Sequence, residues 1–156
     1  MKILIVEDDG GSRAILEEHL QARGWHALCA ATVDEARRMV RAESFDLILT
    51  DIHLPGAEGT EHIRGFCQGS CPVVVMTGFP TLETCLDSIQ HGAAAYLVKP
   101  FRVAEFVGIA ERAMQRRGEA ARVIVLENRV RELEQELARL RAPRDASAAP
   151  DAQAGA

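Results

Sequence analysis

Short runs of apolar residues alternate along the chain with longer segments in which apolar residues recur every three or four positions. A run of four or five apolar residues has the length of a buried strand, and the wider spacing is typical of a helix with one buried face. The pattern predicts strands at residues 3–6, 26–30, 46–50, 73–76 and 95–98, each followed by a helical segment. The run at 73–76 is apolar throughout, as expected when helices cover both faces of a parallel sheet. We therefore expect an open α/β sandwich built from five βα units.

The ends of the helical segments are indicated by their capping residues. The first segment spans residues 12–23 and stops at Gly24, because glycine readily adopts the left-handed conformation that ends a helix. The second opens with Thr32 and Glu35, a capping box in which each side chain accepts a hydrogen bond from the other's backbone amide. The third is predicted near 60–67 and the fourth over 81–91. The predicted buried faces are Ile15, Leu16, His19 and Leu20 in the first helix and Val103, Phe106, Val107, Ala110, Ala113 and Met114 in the fifth.

The length and composition narrow the class of protein. A chain of 156 residues holds one ordinary domain, or a slightly smaller domain with an appendage, which excludes a multi-domain enzyme. No stretch approaches the roughly 20 apolar residues that cross a bilayer, and the first residues do not resemble a secretory signal. The four cysteines show no CxxC pairing, which is typical of reduced thiols. We expect a soluble, cytoplasmic protein without a membrane partner.

The charge distribution argues against nucleic-acid binding. The net charge is −5, and basic and acidic residues are nearly balanced on both sides of Arg117. Binding to phosphate backbones needs clustered cations, so no direct nucleic-acid partner is expected. Arginine supplies all the cations except Lys2 and Lys99. Lys99 directly follows the last predicted strand, which makes it a candidate for a specific role.

Residues that can carry chemistry stand at the ends of the predicted strands. Ligands of such folds bind outside the carboxyl ends of the strands. Clustered carboxylates repel one another unless a cation neutralises them, and an all-oxygen cluster suits Mg²⁺. A carboxylate beside Mg²⁺ can attack phosphorus, while an amine and a hydroxyl bind the phosphoryl oxygens. The sequence therefore predicts formation of an aspartyl phosphate at a cluster made of Glu7, Asp8 and Asp9 after strand one, Asp51 after strand three, Thr77 and Gly78 after strand four, and Lys99 and Pro100 after strand five.

Four motifs in this order resemble the response-regulator receiver domain of bacterial two-component signalling, over residues 1 to about 117. They are ILIVEDD at 3–9, LILTDIHLPG at 47–56, VMTG at 75–78 and GAAAYLVKPF at 92–101. The resemblance implies a flavodoxin-like, doubly wound parallel sheet of (βα)5 type with the strand order 2-1-3-4-5. It also implies a phosphoacceptor that is switched by Mg²⁺-dependent phosphorylation and is not a turnover enzyme.

The resemblance assigns roles to the acids. Asp51 would be the phosphoacceptor. Glu7 and Asp8 would form the acid pair, because Arg13 stands six residues after the first acid; Asp9 would be outside the pair. Asp8 and Asp51 would bind Mg²⁺ directly and Glu7 through water. The backbone carbonyl of His53 would complete the protein ligands of the metal.

The resemblance assigns further roles at the other strand ends. Thr77 would bind the phosphoryl group and move inward, and Tyr96 would follow it as an aromatic switch. Lys99 would pair with a phosphoryl oxygen, and the bond before Pro100 would be cis. Three further implications concern the rim of the site: Gly78 would leave room for the phosphodonor, and His53 and Phe79 would modulate the lifetime of the phosphoryl group.

The remaining histidines receive no role. They lack the spacing of metal ligands such as HExxH, and scattered histidines are usually exposed or satisfied by local hydrogen bonds. These residues are His19, His26, His62 and His91.

A second pattern begins after Gly118. Apolar residues recur at alternating intervals of three and four, which indicates a coiled-coil seam, and β-branched residues at the first two a positions favour two parallel strands. The flanking g and e residues pair Arg122 with Glu127, Arg129 with Glu134, and Glu136 with Arg141, all attractive in a parallel homodimer. The seam residues are Val123, Leu126, Val130, Leu133, Leu137 and Leu140.

The alternative for this segment is a single amphipathic helix that folds back on its own domain, because fewer than three heptads are short for an independent coiled coil. Residues 142–156 are rich in Ala, Ser, Asp and Pro and are expected to be a disordered tail. The predicted organisation is a receiver domain at 1–117, a helical coiled-coil extension at 118–141 and the tail at 142–156.

The resemblance and the extension together predict a signalling switch. A histidine kinase or phosphotransfer protein would donate the phosphoryl group, and output would pass to an unknown downstream protein by protein contact or dimerisation. An alternative is that the chain is the receiver and linker of a larger transcription activator. A phosphatase of the haloacid dehalogenase type is less favoured, because its second acid would stand where this chain has His53. A nucleotide carrier is disfavoured because no GxGxxG loop follows strand one.

Overall fold

The computed structural model describes residues 1–57, 59–67 and 71–141, so the predicted tail at 142–156 lies outside the described residues. Strands and helices alternate, with a helix after every strand. The elements are β1 (Lys2–Val6), α1 (Gly10–Ala22), β2 (His26–Ala30), α2 (Val33–Ala42), β3 (Leu47–Asp51), α3 (Glu61–Cys67), β4 (Val73–Thr77), α4 (Leu82–Gln90), β5 (Ala95–Val98) and α5 (Val103–Arg141).

The five strands form one parallel sheet in the order β2-β1-β3-β4-β5, as the sequence predicted. In register, Val6 pairs with Thr50 and Thr77 with Val98. All strands point the same way, so their carboxyl ends share one edge of the sheet. The order reverses between β1 and β3, and such a reversal opens a crevice at that edge.

Two apolar layers cover the sheet. Every residue of β3 and β4 is buried, because helices lie against both faces. One layer packs α1 and α5 on the sheet through residues such as Leu20 and Phe106, and the other packs α2 and α3 through residues such as Ala36 and Phe66. The alternating strand side chains divide between these layers, as the period of two requires.

The first helix differs in detail from the prediction. It begins at Gly10 rather than residue 12, because the Asp9 side chain accepts a hydrogen bond from the Ser12 amide and caps it. Its end is as predicted, since Gly24 has a positive φ of 77°. Leu16 and Leu20 are buried, but Ile15 and His19 are exposed. The apolar face of α1 is therefore narrower than the sequence indicated.

The predicted capping box on α2 is only partly present, and a complete box stands on α4. The Thr32 hydroxyl accepts from the Glu35 amide, but the Glu35 carboxylate accepts from the amide of Ala31 instead of Thr32. The predicted box on α2 is therefore wrong in its second half. A complete box stands on α4, where Thr81 and Thr84 each accept from the other's backbone amide.

The chain divides into two units, Met1–Gly118 and Glu119–Ala156. Within the described part of the chain, no helix has the length and apolar character needed to span a membrane. In the fifth helix Phe106, Val107, Ala110 and Ala113 are buried as predicted, whereas Val103 and Met114 are only partly buried.

The cysteines are unpaired thiols, all within the described residues. Burial raises the pKa of Cys29, Cys67 and Cys71 to about 11. A thiol with so high a pKa is almost fully protonated at neutral pH and is a poor nucleophile. Cys29, Cys67 and Cys71 are therefore not activated as nucleophiles.

Candidate functional site

Three charged side chains meet where β1, β3 and β5 end. The ammonium of Lys99, directly after β5, donates to the carboxylates of Glu7, directly after β1, and of Asp51, the last residue of β3. The side chains of Glu7 and Asp51 are only 2% and 8% exposed. The parallel sheet brings these strand ends together, so the structure joins three of the residues that the sequence predicted to converge.

Lys99 is held in its charged form by this arrangement. Burial by itself lowers the pKa of a lysine, but the hydrogen bonds that Lys99 donates to Asp51 and Glu7 outweigh burial and raise its pKa above the ordinary value. Lys99 is therefore a permanent cation at neutral pH. The Lys99–Pro100 peptide bond is cis, as the resemblance implied.

The Asp51 carboxylate is oriented through both of its oxygens. Oδ2 accepts from Lys99, and Oδ1 accepts from the backbone amide of His53 at 2.8 Å. Two donors from different segments leave the side chain little rotational freedom. A carboxylate held in one orientation needs less reorganisation before it attacks a bound group.

The loop after β1 gives its three acids different environments. Glu7 is buried, whereas Asp8 and Asp9 are exposed. Asp9 caps α1, and the hydrogen bond from the Ser12 amide at 2.7 Å lowers the pKa of Asp9. Arg13 donates to the backbone carbonyls of Glu7 and Asp8 at 2.6 and 3.3 Å and so fixes the loop. Asp9 therefore acts as the N-cap of α1, whereas the Glu7 carboxylate faces Lys99.

Thr77 ends β4 beside Asp51 in the sheet, where Asp51 pairs with Met76. Thr77 is fully buried, and its hydroxyl oxygen accepts from the Phe79 amide at 3.1 Å. A β-carbon added at Gly78 would meet nothing within 4 Å, so the rim of the sheet is open at this point. The chain directly after the buried Thr77 is therefore accessible at Gly78.

Two exposed rings flank this opening. The rings of His53 and Phe79 meet edge to face with their centroids 6.0 Å apart. Phe79 is 77% exposed, which is unusual for so large an apolar side chain. The two residues that the sequence assigned to the lifetime of the phosphoryl group therefore touch one another at the mouth of the site.

Tyr96 connects β5 to α4. Its hydroxyl lies 2.9 Å from the hydroxyl of Thr84. Its ring is partly buried against the apolar layer that contains α2 and α3. Thr84 is also the second member of the capping box of α4. A rotation of Tyr96 would therefore remove a partner from the first turn of α4.

The donor set fits a hard divalent cation. Glu7, Asp8 and Asp51 are three carboxylates, and among the described residues Lys99 is the cationic side chain that pairs with those of Glu7 and Asp51. Two negative charges remain, which Mg²⁺ would balance. No group of three or more His, Cys, Asp or Glu side chains within the described ranges is arranged to hold a metal. Since Mg²⁺ usually takes only one or two carboxylates and keeps several waters, two carboxylates and a main-chain oxygen suffice.

One residue of the site was missed by the sequence analysis. His62, in α3, is 3% exposed, and its Nε2 lies 3.0 Å from the backbone carbonyl oxygen of Asp51. Burial lowers the pKa of His62, although the hydrogen bond to Asp51 opposes this. The sequence did hold one signal for the burial of His62. It stands four residues before Phe66, which places both side chains on one face of the helix, and their rings are in contact in the structure.

A comparison with known families identifies the family of this chain. A model of the response regulator receiver domain matches residues 3–111. The chain belongs to the response regulator receiver family. Among curated proteins, this receiver is 32% identical over 121 residues to a two-component response regulator of Arabidopsis thaliana, with 75% of the chain and 32% of the relative covered. It is 31% identical over 114 residues to the DNA-binding transcriptional regulator NtrC of Salmonella typhimurium, with 72% of the chain and 24% of the relative covered.

Solved structures give the same result. A CheY-like receiver domain from Methanospirillum hungatei matches with a TM-score of 0.73 and 29% identity, over 76% of this receiver chain and 97% of the other. A beryllofluoride-activated NtrC4 receiver domain dimer matches with a TM-score of 0.70 and 27% identity, over 74% and 98%. The flavodoxin-like architecture and membership of two-component signalling are thereby confirmed.

The predicted dimer seam lies beyond the part of the receiver that the family model covers. Val123, Leu126, Val130, Leu133 and Leu137 occupy α5, and each is about half exposed or more, between 48% and 63%. The side chain of Leu140 lies outside the described residues. Exposed large apolar side chains in a row on one helix are unusual unless a partner covers them.

Proposed function

We propose that Asp51 accepts a phosphoryl group in a reaction that depends on Mg²⁺. The observation that supports this most directly is the buried Asp51 carboxylate, held by Lys99 and by the His53 amide at an open edge of the sheet. Glu7, Asp8 and the His53 carbonyl would complete the surroundings of the metal. Mg²⁺, when bound, would neutralise the phosphoryl oxygens.

The residues of the chain divide the reaction among them. A carboxylate oxygen of Asp51 forms the new bond to phosphorus. The bond from phosphorus to the donor's imidazole nitrogen or other leaving group breaks, and the leaving group keeps the electron pair. Lys99 stays protonated, moves with its charge toward a phosphoryl oxygen and offsets the charge developing there. The Thr77 hydroxyl donates to a second phosphoryl oxygen. No proton needs to leave Asp51, since it reacts as a carboxylate.

Phosphorylation would be communicated through Thr77 and Tyr96. The phosphoryl group attracts the Thr77 hydroxyl away from its contact with the Phe79 amide. Tyr96 then moves into the space that Thr77 leaves and loses its hydrogen bond with Thr84 in α4. The chain would thus have two pre-existing states, and the phosphoryl group would favour one of them.

The partners follow from this chemistry. The donor would be the phosphohistidine of a histidine kinase or a phosphotransfer protein, and the exchange would take place in the cytoplasm. The chain would accept and lose a phosphoryl group without turning over small substrates. Output to a downstream protein is supported by α4, where Leu82, Leu86 and Ile89 are exposed on one face.

Dimerisation through residues 118–141 is the second part of the proposal, with residues 1–117 as the receiver. A second copy of this chain is the occupant that the seam fits, because the exposed apolar row repeats every three and four residues and all three g–e pairs attract in a parallel pair. The known dimer of the NtrC4 receiver domain supports association of such domains.

A larger protein is the alternative. The chain spans 24% of the length of NtrC and 32% of the Arabidopsis regulator, and NtrC is a DNA-binding transcriptional regulator. The residues described here would then act as the receiver and linker of an activator. Both arrangements require the same phosphoacceptor.

The proposed phosphoacceptor is tested by labelling with acetyl phosphate and Mg²⁺. Intact-mass measurement of the wild-type chain should show one added phosphoryl group that hydroxylamine removes, as expected of an acyl phosphate. Asp51→Asn should remain unlabelled. Asp9→Asn is the matched control, because asparagine caps helices as well as aspartate does, and it should label like the wild type. Labelling of Asp51→Asn to the same extent would refute the assignment.

A further inference from the structure

The peptide unit between Asp51 and Ile52 is held at both ends by groups from different elements. The Ile52 amide donates to the backbone carbonyl of Met76 in β4 at 3.1 Å. The Asp51 carbonyl lies beyond Val6–Thr50, the last pair of the β1–β3 ladder. It accepts instead from the Thr50 hydroxyl at 3.0 Å and from His62 Nε2 at 3.0 Å. The Thr50 and His62 side chains therefore supply the hydrogen bonds that β1 would supply if the β1–β3 ladder continued to this carbonyl.

The hydrogen-bond partner of His62 determines which of its ring nitrogens carries the hydrogen. A backbone carbonyl can only accept a hydrogen bond, so Nε2 must carry the hydrogen. The Thr50 hydroxyl lies 3.5 Å from the same nitrogen and adds a weaker contact. The other ring nitrogen, Nδ1, is buried and has no hydrogen-bond partner in the described part of the chain. The hydrogen bond from Nε2 to the Asp51 carbonyl is therefore the shortest polar contact that this buried ring makes.

We propose that His62 is a positioning residue for the phosphoacceptor: its Nε2–H holds the Asp51 carbonyl and thereby fixes the backbone from which the reactive carboxylate projects. This inference rests on the proposed function of Asp51. The contact acts on the main chain, one peptide unit before the His53 amide that orients carboxylate Oδ1. Release of the carbonyl would allow this peptide to rotate, and the carboxylate would lose its alignment with Lys99 and with the incoming phosphorus.

His62→Leu and His62→Gln separate the hydrogen bond from the packing. Leucine fills a similar volume among the residues under α3 but donates nothing, whereas the glutamine amide can place an N–H near the position of Nε2. With acetyl phosphate and Mg²⁺, the maximal labelling rate of His62→Leu should fall about 10-fold, since small misplacement of reacting groups is costly. The donor concentration for half-maximal rate should stay unchanged, because His62 does not touch the donor. His62→Gln should recover most of the rate.

His91 provides the matched control. It is also a histidine bonded to a neighbouring polar side chain, with Nδ1 at 3.2 Å from the Thr60 hydroxyl, at the other side of the α3 N-terminus. His91→Leu removes one such contact without touching Asp51 and should label at the wild-type rate. Equal labelling rates for folded His62→Leu and the wild type would overturn the proposal, as would failure of folded His62→Gln to exceed His62→Leu.

A second measurement is independent of phosphorylation. Amide hydrogen exchange followed by NMR should show faster exchange of the Ile52 and His53 amides in His62→Leu than in the wild type, with recovery in His62→Gln and no change in His91→Leu. Unchanged exchange in His62→Leu would overturn the proposal even if the chain did not label. A wild-type chain that failed to label, or an Asp51→Asn variant that labelled, would instead count against the proposed function alone.

Discussion

At the scale of single residues, the site is organised by one cation between two buried carboxylates. Lys99 pairs with the carboxylates of both Glu7 and Asp51, and neither carboxylate forms another ion pair within the described residues. Buried charges are costly unless they are paired, and removal of one partner leaves the rest uncompensated. Lys99 therefore stabilises the fold as well as the proposed chemistry.

Lys99→Met should lower the free energy of unfolding at pH 7, without Mg²⁺, by about 3 kcal/mol, because two buried carboxylates lose their counter-ion. The effect should depend on pH. Since the pKa of Lys99 is raised above 10.5 in the folded chain, its contribution is complete below that pH and is lost as pH rises through the folded pKa. Urea unfolding from pH 7 to 11 should show the difference between wild type and Lys99→Met shrinking above pH 10.5.

The other lysine supplies the control for this prediction. Lys2 pairs with Glu43 near the surface, where both side chains are about one third exposed, and such pairs contribute about 0 to 1 kcal/mol. Lys2→Met should therefore cost much less than Lys99→Met. Equal losses for the two variants would mean that Lys99 has no special electrostatic role.

At the scale of elements, α4 is the helix that contacts Tyr96, the residue proposed to follow Thr77. Its N-terminus is closed by the reciprocal bonds of Thr81 and Thr84, and Thr84 also meets Tyr96. Thr77 and Tyr96 stand on adjacent strands, in the pairing of β4 with β5. A movement of Thr77 that displaces Tyr96 would therefore change the hydrogen bonds of the first turn of α4.

Thr81→Ala should lower the free energy of unfolding by about 1 kcal/mol, because an orphan amide in the first turn loses its side-chain acceptor. Thr81→Ser keeps the hydroxyl and should lose much less. The measurement is urea unfolding of the two variants beside the wild type. If serine were as destabilising as alanine, the stabilisation would come from packing of the threonine methyl group rather than from the cap.

At the scale of the whole molecule, association would depend on the seam of α5. The seam side chains that the structure describes, from Val123 to Leu137, are exposed in the single chain, as are Ile124 and Val125, which lie off the seam. Exposure alone does not distinguish the two sets, but the heptad positions do. Only a and d side chains insert between the helices of a coiled coil.

Leu133→Asn, at a d position, should weaken the dimer at least about 10-fold, since a polar group replaces a buried anchor. Ile124→Asn is the matched control and should leave the solution mass unchanged. Light scattering over a concentration series, with and without Mg²⁺ and acetyl phosphate, gives the mass. A wild-type chain that stays monomeric under all conditions would favour the alternative of a helix folded on its own domain.

The orientation of the dimer can be tested by exchanging charges. Arg129 also forms an exposed pair with Glu132 of its own chain at 3.0 Å, which contributes little. In a parallel dimer Arg129→Glu places like charges opposite Glu134 and should weaken association. The double variant with Glu134→Arg should restore it. Weakening without restoration would contradict the parallel register.

The sequence by itself determined the sheet and the main residues of the site. Apolar runs alternating with helix-spaced segments define βα units, and parallel strands bring Asp51 and Lys99 to one edge whatever the side chains around them. Local caps were partly predictable: Gly24 ends α1 as expected. The capping of α2 was half wrong, because Glu35 had two amides within reach and the chain entering the helix decided between them.

Only the tertiary structure decided the long-range contacts. Nothing in the local pattern indicated that His62 would contact the Asp51 carbonyl, because that contact depends on where α3 packs and on the β1–β3 ladder ending one residue earlier. The contact of Tyr96 with Thr84 and the exposure of Ile15 depend equally on how helices lie against the sheet. Periodicity is a property of neighbouring residues and is encoded locally, whereas a hydrogen bond between distant segments is set by the packing that brings them together.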